Sequence, residues 1–185
     1  MQNVSLPHLL PLTARDLQDT LRSRYRRAPE SAWATHLAWT ESSGEAVADP
    51  FRGTVFVSLA GRGQAFSLDD SVGGPHDETA PGELLCAALA SSFDSTLRLV
   101  AARMDVAIEH LAVVVTGDVD ARGALGVTGV PVGFQSMRLQ VDLRLAAGTD
   151  AGTADRLLAN AERHCEVLQT LRPGVPIVVI RAEAR

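Results

Sequence analysis

The sequence predicts an α+β fold in which antiparallel sheets pack against two long core helices. Three observations carry this. Residues 81–104 are the most apolar segment of the chain and open on Pro81, with Glu83 just inside. Residues 153–171 set Ala154, Leu157, Leu158, Ala161, Cys165 and Leu168 on one face at helical spacing. Residues 137–145 alternate strictly, with Met137, Leu139, Val141, Leu143 and Leu145 inward and Arg138, Gln140, Asp142 and Arg144 between them.

The elements follow in order. Residues 1–12 read as a poorly ordered lead, since Pro7 and Pro11 resist regular structure. Thr13 caps a helix over 14–27, with Asp16 in its first turn, Leu17, Leu21 and Tyr25 at helical spacing, and Pro29 as the stop. Its Arg22, Arg24, Arg26 and Arg27 read either as an anion-binding patch or as a solvated face. Residues 33–40 read as a strand and 41–50 as a connection. Residues 54–59 and 64–68 are two short strands around Gly61-Arg62-Gly63, a hairpin signal. Residues 69–80 form a Gly/Pro/Asp loop. The helix over 81–104 is apolar all round at its start and so is expected to be buried there. A strand over 111–119, a Gly-rich loop over 122–133 and the alternating strand over 137–145 come next. The helix over 153–171 stops at Arg172-Pro173-Gly174, and 175–180 make a last strand. The order is α-βββ-α-ββ-α-β, without internal repeats. One domain is expected over 13–185, with 13–28 as an N-terminal helical addition.

Composition narrows the chemistry. The 185 residues are 46% hydrophobic and 21% charged, with a net charge of −5. General nucleic-acid and acidic-membrane binding are disfavoured, because phosphate contacts need clustered positive charge. All 17 basic residues other than histidine are arginine, and there is no lysine. That removes Schiff-base, phosphate-loop and pyridoxal-phosphate lysines. Any strong cation is a guanidinium, unable to act as a base near neutral pH. No basic segment leads into an apolar run at the N-terminus, and the apolar stretches read as short of the ~20 residues that span a bilayer. A cytoplasmic protein without membrane or nucleic-acid partners is the expectation.

The common catalytic constellations are missing. The sequence has no GxGxxG, phosphate loop, HExxH or GxSxG. Its five histidines, His8, His36, His76, His110 and His164, form no short metal-ligand motif, so no metal or other cofactor is expected. Two cysteines remain, Cys86 and Cys165, one on each long helix. They could form a disulfide or stay as two thiols, and a dithiol is a weak signal by composition alone.

Longer motifs say more. Gly73-Gly74, then Pro81-Gly-Glu-Leu-Leu-Cys-Ala-Ala-Leu-Ala-Ser-Ser92, then Gly117-Asp-Val-Asp-Ala-Arg-Gly123 and Ala161-Glu-Arg-His-Cys165 follow one another in the chain. In this order they resemble the OsmC/Ohr family. The N-terminal helix with Tyr25 and Pro29, and Pro131-Val-Gly-Phe134, resemble a subgroup with an extra N-terminal helix. The resemblance implies an OsmC-like fold: an intertwined homodimer whose antiparallel sheets wrap the central helices, with sites at the subunit interface. It also implies an oxidative-stress chemistry. A first cysteine attacks the O–O bond of an organic hydroperoxide, its sulfenic acid condenses with a second cysteine, and a dithiol reductant resets the pair. An arginine and a glutamate hold the first cysteine as thiolate.

The sequence departs from the pattern at the decisive position. The alignment puts Ser92 where the family has its attacking sulfur, while Cys165 matches the second cysteine. A serine hydroxyl is hardly ionised at neutral pH and forms no sulfenic acid. Gly82 takes the place of one expected glutamate, leaving Glu83, and Arg52 at the mouth of the first hairpin is the candidate arginine. Cys86 lies six residues before Ser92, about 120° around a helix and ~9 Å along it. It reads as a small core residue or as a displaced thiol. Cys165 reads as a packed thiol or as a second cysteine without its partner. His164 is expected on the polar side. Phe134, Phe51 and Phe93 read as packing residues or cleft walls, and Trp33 and Trp39 as strand residues. The expectation is a peroxidase site that is weak or inactive. Two alternatives stand: a non-catalytic binder of a small apolar or acyl ligand in the interface pocket, and a peroxidase using Cys86 and Cys165.

Overall fold

The computed structural model describes residues 13–42, 48–57, 61–150 and 152–174. The expected lead over 1–12 and the last strand over 175–180 lie outside the described residues. Helix α1 (Ala14–Arg27) opens on a capping box: Asp16 N–H donates to Thr13 Oγ1, and the Asp16 carboxylate accepts the Thr13 N–H. Its side chains are not buried, and Leu17 and Leu21 remain exposed.

Three strands form a first sheet in the order β1 (Ala38–Thr40), β2 (Arg52–Val57), β3 (Gly63–Ser67), antiparallel throughout. The strand expected over 33–40 is corrected to its last three residues. Pro29 starts a 3₁₀ turn that runs to Ala32, and only Ala38, Trp39 and Thr40 meet partners on β2. Trp39 stacks on Phe56 at 5.5 Å between ring centroids. Glycines make room for rings here. A Cβ on Gly53 would lie 2.5 Å from the ring of Phe66, its cross-strand partner, and one on Gly63 would lie 2.8 Å from the ring of Phe56.

The connection over 69–80 contains a 3₁₀ turn at Asp70–Val72, closed by Gly73 at φ 85°. Gly74 then passes so near Leu68 that a Cβ would lie 2.1 Å from the Leu68 carbonyl oxygen, which only glycine allows. Helix α2 (Pro81–Met104) has the bounds expected from sequence and ends on Asp105 in the left-handed conformation. Its first turn is held by the Glu83 carboxylate, which accepts the Ala80 N–H at 2.8 Å.

Sheet two is a long antiparallel pair, β4 (Ile108–Val119) and β5 (Phe134–Leu145). The alternation read from 137–145 is present, with Met137, Leu139, Val141, Leu143 and Leu145 on the covered face. Within the loop expected over 122–133, a short helix α3 (Ala121–Ala124) forms, capped by Asp120. Phe134 lies over Gly117, where a Cβ would be 2.4 Å from the ring.

The last long helix is corrected. It is two helices, α4 (Thr153–His164) and α5 (Glu166–Leu171), broken at Cys165, whose backbone is extended at φ −72°, ψ 111°. A side chain makes good part of the interruption: the Gln169 amide donates to the Glu162 carbonyl at 2.8 Å. Within α4, His164 Nδ1 also pairs with the Asn160 carbonyl at 2.8 Å. The apolar stripe runs straight through the break, which is why its periodicity hid it.

The core lies where α2 crosses the covered face of the second sheet and meets α4 and α5. Leu89, Phe93, Leu97, Ala161 and Cys165 are its centre, with Val113, Val115, Met137 and Leu139 packed around them. Two expectations about α2 change. By length and hydropathy it is long and apolar enough to cross a membrane, contrary to the sequence reading, yet it carries the Asp94–Arg98 ion pair and supplies this core. Its apolar start is also not buried in the single chain: Leu84, Leu85 and Cys86 are half-covered and Ala87 and Ala88 exposed.

Candidate functional site

Ser92 and Cys165 meet. Ser92 Oγ lies 3.2 Å from Cys165 Sγ, and either can donate the hydrogen bond. Ser92 projects from the middle of α2, half-buried, with its own carbonyl accepting from Thr96 Oγ1 at 2.7 Å. Cys165 sits at the break between α4 and α5 and is fully buried. The extended residue ties both helices: its N–H donates to Ala161 and its carbonyl accepts from Gln169, each at 2.9 Å. Residues 73 positions apart in sequence are thus brought into contact by α2 packing on the α4–α5 junction.

Cys86 goes elsewhere. Both cysteines are free thiols. Cys86 lies ~9 Å along the helix axis from Ser92 and lines a separate, mostly apolar recess of about 970 Å³. Its walls are the start of α2, Val113–Gly117 of β4, and Val132, Gly133 and Phe134. In the single chain it is half-buried on a cavity wall. Glu83 lines the same recess. Besides holding Ala80, its carboxylate is 3.6 Å from His76 Nε2, while His76 Nδ1 is 3.5 Å from Asp69.

Arg52 begins β2, where Asp49 (3.1 Å) and Asp77 (2.6 Å) take its guanidinium. These hydrogen bonds raise the arginine further and hold both carboxyls below their ordinary value, Asp77 chiefly through Arg52 and Asp49 chiefly through the Phe51 N–H. Its partners are these two carboxylates, not Ser92 or Cys165. His164 is exposed, as expected. Phe93 is in the core, and Phe134 borders both the Cys86 recess and a second one of about 760 Å³ between α2, β5 and α4–α5. Phe51 borders neither recess, and Trp33 stands exposed ahead of β1.

Sequence spacing missed one grouping. Asp69, Asp70 and His76 bring possible ligand atoms within 4.8 Å of one another, two of the three residues being exposed. The tight path forced by Gly73 and Gly74 folds His76 back on Asp69, and no regular spacing announces it.

Comparison with known proteins adds a family. A family model for OsmC-like proteins matches residues 74–180. No curated protein matches the chain. Among solved structures, a Legionella pneumophila protein described as an organic hydroperoxide resistance protein OsmC and predicted redox protein is 20% identical, with a TM-score of 0.58, covering 76% of this chain and 91% of its own. An OsmC-like protein of unknown function from Vibrio cholerae gives a TM-score of 0.62 at 14% identity over 76% of this chain and 95% of its own. An organic hydroperoxide resistance protein from Elizabethkingia anophelis gives 0.59 at 18% identity over 76% and 90%. At these identities the solved structures speak for the fold.

Proposed function

Since the chain belongs to the OsmC-like family, we propose that it is an OsmC/Ohr-type protein of the organic-hydroperoxide response whose peroxidase site is altered at Ser92. The observation that carries this reading is the 3.2 Å contact between Ser92 and Cys165. The two positions that the resemblance assigns to the reacting sulfurs are neighbours in space, and one of them holds oxygen.

The chemistry then stops at its first step. In an active pair, a thiolate takes the distal oxygen of the hydroperoxide and releases an alkoxide, which picks up a proton to leave as alcohol. The resulting sulfenic acid condenses with the second thiol and releases water. Ser92 supplies neither a soft anion at neutral pH nor a sulfur to oxidise. Cys165 is fully buried, so a hydroperoxide reaches it only after local opening. The protein is therefore weak or inactive as a thiol peroxidase. It works without a bound cofactor, as one OsmC-like domain over 13–185, cytoplasmic and homodimeric. The uncovered apolar start of α2 and the exposed Leu37, Trp39 and Val57 of the first sheet region support the dimer.

A second reading, a binder of a small apolar or acyl ligand, is favoured by the two apolar recesses flanking α2. The third, a Cys86–Cys165 peroxidase, has little support, because Cys165 is taken up by Ser92 and Cys86 faces another cavity.

The test is consumption of cumene hydroperoxide with dithiothreitol as reductant, followed by mass spectrometry of both cysteines, for the wild type and Ser92→Cys. Slow turnover by the wild type and a gain on Ser92→Cys support the proposal. Rapid turnover by the wild type with a Cys86–Cys165 bond overturns it. A copurified ligand on an inert wild type favours the binding reading.

A further inference from the structure

We propose that the junction of α1 with α2 and α4 is a binding site for a small monocarboxylate with an apolar alkyl or aryl body. Helix α1 buries no side chain, so polar contacts hold it. Arg15 donates to the Arg103 carbonyl, and Arg103 donates to Gln18 at 3.3 Å and to Asp19 at 2.9 Å. Beside these contacts the surfaces do not close. They leave a recess of about 330 Å³, within the size range of ligand pockets.

Its lining is specific in charge. Arg22 and Arg103 both border it, and both are served by one carboxylate, Asp19, at 4.0 and 2.9 Å. The two guanidiniums that line the recess share one carboxylate, and the Arg15 guanidinium sits close by on the Arg103 carbonyl, so positive charge is in excess there. Arg103 is three-quarters covered, so its charge is poorly hydrated. An anionic head group offsets this excess. The floor is Leu99, Val100 and Met104, which calls for an apolar body behind the anionic head. His164 forms another wall, with its Nδ1–H given to Asn160. A planar carboxylate suits an arginine fork better than a spherical halide does. Of the four arginines in the sequence patch, Arg22 alone borders the recess, which separates a built site from a general basic face. The inference is independent of the Ser92–Cys165 reading, and its readout involves no peroxide.

The test is isothermal titration of the full chain with benzoate and hexanoate, beside benzyl alcohol, hexanol and inorganic phosphate. Saturable binding of the carboxylates at one per chain is expected, weakened about tenfold or more by Arg22→Gln and unchanged by Arg24→Gln. Arg24 lies over the Tyr25 ring, away from the recess. Benzoate should also slow trypsin cleavage within α1. No saturable binding, equal binding of the alcohols, a preference for phosphate, or Arg22→Gln binding like wild type would each overturn the proposal.

Discussion

Replacing Ser92 by cysteine should create a disulfide with Cys165 whose stabilisation can be estimated beforehand. The two side-chain atoms are already 3.2 Å apart and aimed at each other. A disulfide needs sulfurs at about 2.05 Å, and the longer carbon–sulfur bond of cysteine closes part of the gap. The bond would cross-link positions 73 residues apart. The loop-closure relation then gives about 4 kcal/mol of lost denatured-chain entropy, with about 2–4 kcal/mol usual for a real bond. With a urea slope of about 2 kcal/mol/M, the unfolding midpoint of the oxidised variant should lie about 1–2 M above that of the same variant reduced. The assay is urea unfolding followed by circular dichroism, with and without dithiothreitol, and a peptide map of the linkage. If oxidation joins Cys86 instead, links two chains, or leaves the midpoint where it was, the contact inferred between positions 92 and 165 is wrong.

Two other outcomes follow from the packing and the charges. Leu97 is fully buried among Phe93, Ala161 and Cys165, so Leu97→Ala should cost about 3–5 kcal/mol, read by the same urea titration. Asp77 is held below the ordinary carboxylate value, chiefly by Arg52. A depressed acid adds stability above its unfolded value and loses it as pH falls through the folded one. The Arg52–Asp77 pair should therefore persist below pH ~3.9, the ordinary aspartate value. Carbon-13 NMR titration of the Asp77 carboxyl should show a midpoint below that value, rising in Arg52→Gln.

Much of the fold was legible because the hydrophobic patterns were long. The bounds of α2 and the inward row of β5 can be read directly from the residues, and Thr13 with Asp16 marked the start of α1. What stayed hidden depended on partners distant in sequence. The strand at Trp33 shrank because only three residues found a ladder on β2. The break at Cys165 carries no glycine or proline, and the Glu162 carbonyl it frees is taken by the Gln169 side chain, whose role has no sequence signature. The candidate site was half legible. The motif register brought Ser92 and Cys165 together as positions, but helical spacing alone could not show which wall Cys86 would face. The ion pairs of Arg52 could not be read from the sequence, because a residue's neighbours at a sheet rim depend on how the 69–80 loop returns, and that loop delivers Asp77.

The glycine–phenylalanine contacts constrain how this chain can change over time. At Gly53–Phe66 and Gly117–Phe134, one residue exists as a vacancy for the other. Substitutions at these pairs cannot be independent. A side chain gained at the glycine first collides with a ring, whereas a ring reduced first leaves a gap that the former glycine can fill. The route between two acceptable sequences therefore has a direction: the aromatic partner shrinks before the small one grows. Among related chains, these pairs should accordingly change in step, with intermediates that have lost the ring and retain the glycine.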